Sequence, residues 1–118
     1  MLFRKKIERS CGYCIYGANI GEDIYSVLPG NIELAKYYGG YGNSVVINHG
    51  NNVQTLYAHC QKLNVIPNEF VIKGQKIATI GSTGRSTGSH LHFEVIINEI
   101  NYSPEIFLSK IYPKKNEI

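Results

Sequence analysis

Gly81-Ser82-Thr83-Gly84-Arg85-Ser86-Thr87-Gly88-Ser89-His90-Leu91-His92-Phe93-Glu94-Val95-Ile96-Ile97 is the stretch on which the reading of this chain turns. Its first half is glycine, serine and threonine around one arginine, a composition that makes a loop. Its second half alternates. At a period of two, Leu91, Phe93, Val95 and Ile97 take one face of a strand while His90, His92, Glu94 and Ile96 take the other. One face therefore belongs to a core, and the opposite face carries two imidazoles roughly 6 to 7 Å apart, twice the rise of a strand.

Working outward, short β-rich runs are punctuated by glycine, asparagine and proline. Strands are expected at Ile24–Leu28, Asn31–Tyr37, Ser44–Asn48, Val53–His59, Phe70–Ile72, Lys76–Ile80 and His90–Ile97. Turn signals at Pro29-Gly30, Gly39 to Asn43, Gly50-Asn51-Asn52, Lys73-Gly74 and Gly81 to Ser89 separate them. The expectation is one all-β domain over residues 1–118, a compact antiparallel sheet folded on itself. After Ser103-Pro104, Glu105-Ile106-Phe107-Leu108 predicts a short helical turn, and the charged tail 113–118 is expected to fray. In Val53–His59 alternation sets Val53, Thr55, Tyr57 and His59 against Gln54, Leu56 and Ala58. If that strand and the final one share a sheet, His59 is expected beside His90 and His92.

Composition narrows the classes. A length of 118 residues allows one core and not two. The net charge is only +3, with Arg4, Lys5, Lys6, Lys114 and Lys115 at the termini. No basic stripe interleaved with stacking aromatics exists, which speaks against nucleic acid. No apolar run approaches the roughly 18 residues of a membrane span, and Met1 to Lys6 lack the apolar segment of a signal peptide, so no export route is expected from these residues. Gly74-Gln75-Lys76-Ile77 also resembles the half-motif of lipoyl- and biotinyl-carrier domains, yet no lysine stands convincingly at an exposed hairpin tip. The cysteines Cys11, Cys14 and Cys60 are odd in number, so at least one is a thiol, a ligand or filling. Cys60 is expected as filling. His49, in a strand leading to a Gly-Asn-Asn turn, is expected to be structural.

Histidines gathered on one sheet face suit metal chemistry: a bound divalent ion lowers the pKa of its water, and neighbouring imidazoles move protons and stabilise an oxyanion. The Gly81-to-Glu94 stretch, with Leu56-Tyr57-Ala58-His59 about thirty residues upstream, resembles the signature of the lysostaphin/LytM-type zinc metallopeptidases. Gly40-Tyr41-Gly42-Asn43, Val71 to Ile77 and Ser103-Pro104 extend the likeness over roughly residues 20–108. The resemblance implies the duplicated, barrel-sandwich-like β architecture of those peptidases. It implies Zn2+ held by His92, with His59 and His90 flanking the reacting carbonyl as catalytic residues, and a substrate groove walled by Tyr41, Asn43, Ser86 and Thr87. It also implies peptidoglycan peptides or a cell-envelope protein as partner, and an extracytoplasmic location.

One part of the pattern is missing. The family draws two further ligands from an upstream His-x-Gly-x-Asp loop, and a gap-free alignment on Gly21, Tyr25, Val27 and Gly30 puts Cys11 at the histidine and Ile15 at the aspartate. Two readings stay open. Either Cys11 and Cys14 replace the lost ligands as thiolates beside His92, at some cost in Lewis acidity, or the site has decayed and the domain works by binding.

Overall fold

The computed structural model describes residues 6–8, 14–16, 19–84 and 91–102, with the backbone alone for 6–8 and 14–16. Ten strands make up the described residues, and every pairing between them is antiparallel. They are β1 (Lys6–Glu8), β2 (Cys14–Tyr16), β3 (Asp23–Tyr25), β4 (Gly30–Tyr37), β5 (Asn43–Gly50), β6 (Val53–Leu63), β7 (Phe70–Val71), β8 (Lys76–Ile80), β9 (Leu91–Ile97) and β10 (Ile100–Tyr102). A 3-10 turn at Gly39–Tyr41 joins β4 to β5. The expected all-β fold and each of the seven expected strands are present, with ends shifted by a few residues; β1, β2 and β10 are additional. His90, the turn expected at 105–108 and the tail 113–118 lie outside the described residues, as do Cys11, Ser86 and Thr87.

The main path through the sheet runs β1-β2-β9-β6-β5-β4-β7, with β8 joining β6 to β3. The fold closes on itself through β6, which is too long to stay in one layer. Its first half, Val53 to Ala58, pairs with β9, and its second half, from Cys60 to Leu63, pairs with β8. The β5–β6 hairpin is tight because Asn51 and Asn52 hold φ of 52° and 61°, the left-handed pair that a type I′ turn needs.

Alternation fills the interior. Val45 and Ile47 of β5, Tyr57 of β6, Ile77 and Ile80 of β8 and Leu91, Phe93 and Val95 of β9 are fully buried in one cluster. Tyr57 and Phe93 are directly opposed in register and pack with ring centroids 5.2 Å apart at a 58° tilt, a geometry that favours aromatic pairs. Cys60 is in the same cluster with no exposure, and burial pushes its thiol up to about 12. It is filling, as expected.

A chain of hydrogen bonds threads the core side of the sheet. His49 Nδ1 donates to the Pro29 carbonyl at 2.8 Å, and His49 Nε2 lies 2.8 Å from Thr55 Oγ1. Thr55 Oγ1 is 3.1 Å from the Tyr57 hydroxyl, which receives the Val27 N–H at 3.3 Å. With His49 neutral, Nε2 accepts from the Thr55 O–H and Thr55 Oγ1 accepts from Tyr57; with His49 charged, Nε2 donates to Thr55 and Thr55 donates to Tyr57. Burial lowers the pKa of His49 from its ordinary value. Its role is structural.

Candidate functional site

The opposite face of the same strands is different. Register sets Ala58 of β6 directly across from His92 of β9, and Leu56 across from Glu94. The floor is thus apolar beneath a His-x-Glu pair. By plain alternation His59 belongs with Thr55 and Tyr57 on the core face. It escapes because its backbone is left-handed, with φ 60°. Two steps along β5, from Asn43 to Val45, span three along β6, from Cys60 to Tyr57, so an extra β6 residue is accommodated as a bulge. The bulge brings the His59 ring to 5.8 Å from that of His92, edge-on at 72°. The expected neighbourhood of His59 and His92 is present, by a route alternation does not supply.

Two loops whose sequences the family likeness singled out lock against each other behind His59. Gly42 and Gly84 are both left-handed, with φ of 69° and 74°, and a Cβ on Gly42 would meet the Thr83 carbonyl carbon at 2.5 Å. Only glycines allow that approach. It holds Thr83 where its carbonyl takes the His59 Nδ1–H at 2.7 Å, while its hydroxyl donates to the Cys60 carbonyl at 2.7 Å and accepts from the Asn43 N–H at 3.1 Å. In a neutral His59 the lone pair is then on Nε2. The Asn43 side chain is spent on the β6 backbone, its Nδ2 reaching the carbonyls of Cys60 and Gln61 at 3.3 Å each.

Glu94 is the residue that motif reading passed over. It is buried, with 9% of its surface exposed, yet its Oε2 takes His92 Nε2 at 2.7 Å and the Tyr41 hydroxyl at 3.1 Å. The His92 hydrogen bond is the leading cause that holds the Glu94 carboxyl below its ordinary range, while burial and the adjacent carboxylate push the Tyr41 phenol above its own. A buried carboxylate acquires such partners or loses its charge. Alternation already placed Glu94 with the histidines; the second donor, Tyr41, comes from 53 residues away and is invisible to a local pattern. Tyr41 also stacks on Tyr38 at 5.6 Å and 9°, and tilts against His92 at 5.6 Å. A groove of about 390 Å³ runs from Glu94 past both tyrosines over Leu34, Val46 and Leu56.

For metal, register is the informative observation. Cys14 of β2 stands opposite His92, and Ile15 stands opposite Leu91, so the position level with the expected ligand is a cysteine and not the isoleucine that gap-free alignment gives. Among the described residues no three His, Cys, Asp or Glu side chains gather as a metal would require. The imidazole of His92 fits zinc in kind, and the described side chains fall short of it in number.

Comparison with known proteins gives a consistent answer. The sequence profile of peptidase family M23 matches residues 12–104. The peptidoglycan DD-endopeptidase ShyC of Vibrio cholerae is 42% identical over 89 residues, 75% of this chain and 21% of that protein. The lipoprotein NlpD of Yersinia enterocolitica is 37% identical over 91 residues, 72% of this chain and 93% of that sequence. Among solved structures, the catalytic domain of lysostaphin from Staphylococcus simulans superposes with a TM-score of 0.77 at 29% identity, covering 89% of this chain and 86% of that one. The chain spans about a fifth of the length of the Vibrio and Neisseria relatives it matches.

Proposed function

The chain belongs to peptidase family M23, and within that family we propose that it acts on or binds peptidoglycan peptides through an incomplete zinc site, with weak or no endopeptidase activity. The observation that supports this reading is the register that sets Cys14, and not an aspartate, level with His92. Moving the alignment by the one residue that the register suggests matches Ser10-Cys11-Gly12-Tyr13-Cys14 to His-x-Gly-x-Asp. Glycine then meets glycine, a cysteine takes the aspartate's place, and a serine takes the histidine's. A serine hydroxyl is a poor substitute for imidazole toward zinc.

His92 would hold the ion, with Cys14 and, less directly, Cys11 as thiolate partners. Zinc, when bound, polarises a peptide carbonyl and acidifies water. Around it His59, with its lone pair on Nε2, and His90 are the proposed proton-moving groups. Tyr41 borders the peptide groove; Ser86 and Thr87 are proposed for its other wall, and Asn43 for a supporting part in it. The proposed setting is the cell envelope. No helix among the described residues is long and apolar enough to cross a membrane.

A second reading, an active endopeptidase using Cys ligands, draws support from the same opposition of Cys14 and His92. Two measurements separate the readings. Elemental analysis is expected to find less than one zinc per chain after purification without added metal. Digestion of muropeptides or pentaglycine, with and without zinc, is expected to show little cleavage above a His90→Ala control. Tight stoichiometric zinc that Cys11→Ala or Cys14→Ala removes, together with cleavage that His90→Ala abolishes, would establish the second reading instead.

A further inference from the structure

We infer that the far end of the outer sheet face is a saccharide subsite: a basin of amides and carboxylates, formed where the β5–β6 and β9–β10 hairpins meet, that takes an N-acetylated hexosamine unit of the glycan carrying the peptides. The inference rests on the proposed peptidoglycan reading and adds the second component of that substrate, with the residues that recognise it.

The basin measures about 560 Å³, within the roughly 300–1,000 Å³ of small-ligand sites. Its chemistry sets it apart from most of them, because none of its lining residues has an apolar side chain and none is cationic. Two tight turns form the rim. Asn51 and Asn52 at one tip, and Asn98 and Glu99 at the other, hold φ between 52° and 67°, the left-handed pairs of two-residue hairpins. The Asn98 N–H donates to the Asn52 carbonyl at 2.9 Å and ties one tip to the other. Both backbones are thereby fixed, whereas these four side chains make no hydrogen bond among the described residues.

The floor is committed where the rim is not. The register of β4 against β5 shifts between Ile32 and Leu34 and leaves Glu33 as an extra residue, a bulge of the kind that re-aims a side chain. Its Oε2 accepts from Asn48 Nδ2 at 2.8 Å, and its Oε1 accepts from Gln54 Nε2. A carboxylate anchored through both oxygens is an acceptor of fixed position. Each rim amide offers a donor and an acceptor together. Fixed acceptors below and uncommitted amides above suit a ligand with paired hydroxyls and an amide of its own, and a lining without cations does not suit an anion.

Position links the basin to the peptide. Glu33 and Gln54 also line the tyrosine-bordered groove, so the two hollows share a wall. Gln54 stands four residues along β6 from Ala58, which faces His92; at the rise of a strand that is about 13 Å, the length of about four extended peptide residues. A peptide in the groove therefore carries its attached sugar toward the basin. A weak contact suffices there, because the second binding event is intramolecular.

The test titrates the metal-free, nitrogen-15-labelled full chain with a peptide-free trisaccharide of N-acetylglucosamine. Amide shifts are expected at Asn48, Asn51, Asn52, Gln54 and Asn98, with a Kd on the order of 1 mM. The double variant Asn51→Gly, Asn98→Gly removes two amides while glycine keeps the left-handed backbone. It is expected to weaken sugar binding about 10-fold, with thermal unfolding to confirm that it folds. A sugar-free stem peptide, titrated in parallel, is expected to shift the tyrosine-bordered groove and leave the rim unmoved. Silence of the rim at about 20 mM sugar, sugar binding that the double variant leaves unchanged, or a rim that answers to the peptide and not to the sugar overturns the subsite. Neither zinc nor cleavage enters these titrations, so the two readings fail separately. Peptide binding without sugar binding sinks the subsite alone, and sugar binding without peptide binding upholds the subsite while sinking the peptide reading.

Discussion

The main sheet carries a tyrosine-to-histidine relay on each of its faces, and the two differ in the group at their centre. On the core side Tyr57 reaches His49 through the hydroxyl of Thr55; on the outer side Tyr41 reaches His92 through the carboxylate of Glu94. A hydroxyl both gives and takes a proton, so the inner relay needs no fixed charge and is closed at both ends by backbone groups. A carboxylate only takes, so the outer relay converges on one charge. The first arrangement is neutral and buried, and the second gathers two donors on one carboxylate.

The largest effect should come from the packing beneath both relays. Phe93→Ala, which empties a fully buried site beside Tyr57, is expected to cost about 3–5 kcal/mol in urea unfolding. A smaller loss would mean that the two faces are less firmly joined than register implies. Next is Gly84→Ala, which puts a Cβ against Gly42 in a left-handed position; a loss of about 2 kcal/mol is expected from strain and overpacking. Displaced ring resonances of His59 should accompany it, since Thr83 sets that ring.

Removing one hydroxyl from each relay sharpens the contrast. Tyr57→Phe deprives the buried Val27 N–H and Thr55 of partners and is expected to cost about 1–3 kcal/mol, whereas Tyr41→Phe, at a half-exposed site, should cost about 0.5–1.5 kcal/mol. Reversal of that order in thermal or chemical unfolding would sink the division between a buried and a half-exposed relay. Acid provides a gentler probe. Burial depresses the folded-state pKa of His49, so below the ordinary value near 6.5 the unfolded chain binds the proton more readily, and stability falls as pH drops from there. His49→Gln should flatten the stability profile between about pH 6.5 and 5; an unchanged slope would remove His49 as its cause. Smallest of all, Cys60, buried with its thiol held near 12, should resist alkylation in the native protein and react on unfolding, as read by mass mapping of its peptide.

Much of this molecule was legible without coordinates because strands write their faces in steps of two. The alternation of β9 gave the core row and the imidazole row, and the asparagines and glycines at residues 50–52 marked a hairpin for the reason that left-handed residues are needed there. The short strands β1, β2 and β10 were not legible, since three residues carry too little periodicity and take their strand character from the partner they pair with. For Asn43, expected in the groove from its place in a matched motif, the structure adds that Nδ2 reaches the β6 carbonyls of Cys60 and Gln61.

By itself, then, the sequence determined the fold class, the family likeness and the pairing of His92 with Glu94 on one face, all consequences of local order along a strand. Tertiary structure alone decided three things. A bulge with a left-handed His59 turned that ring from the core to the site; a cross-strand register put Cys14 level with His92; and Tyr41 came from another loop to hold Glu94. Each depends on residues far apart in the chain meeting with a fixed offset, and an offset is set by the strands and turns that lie between them.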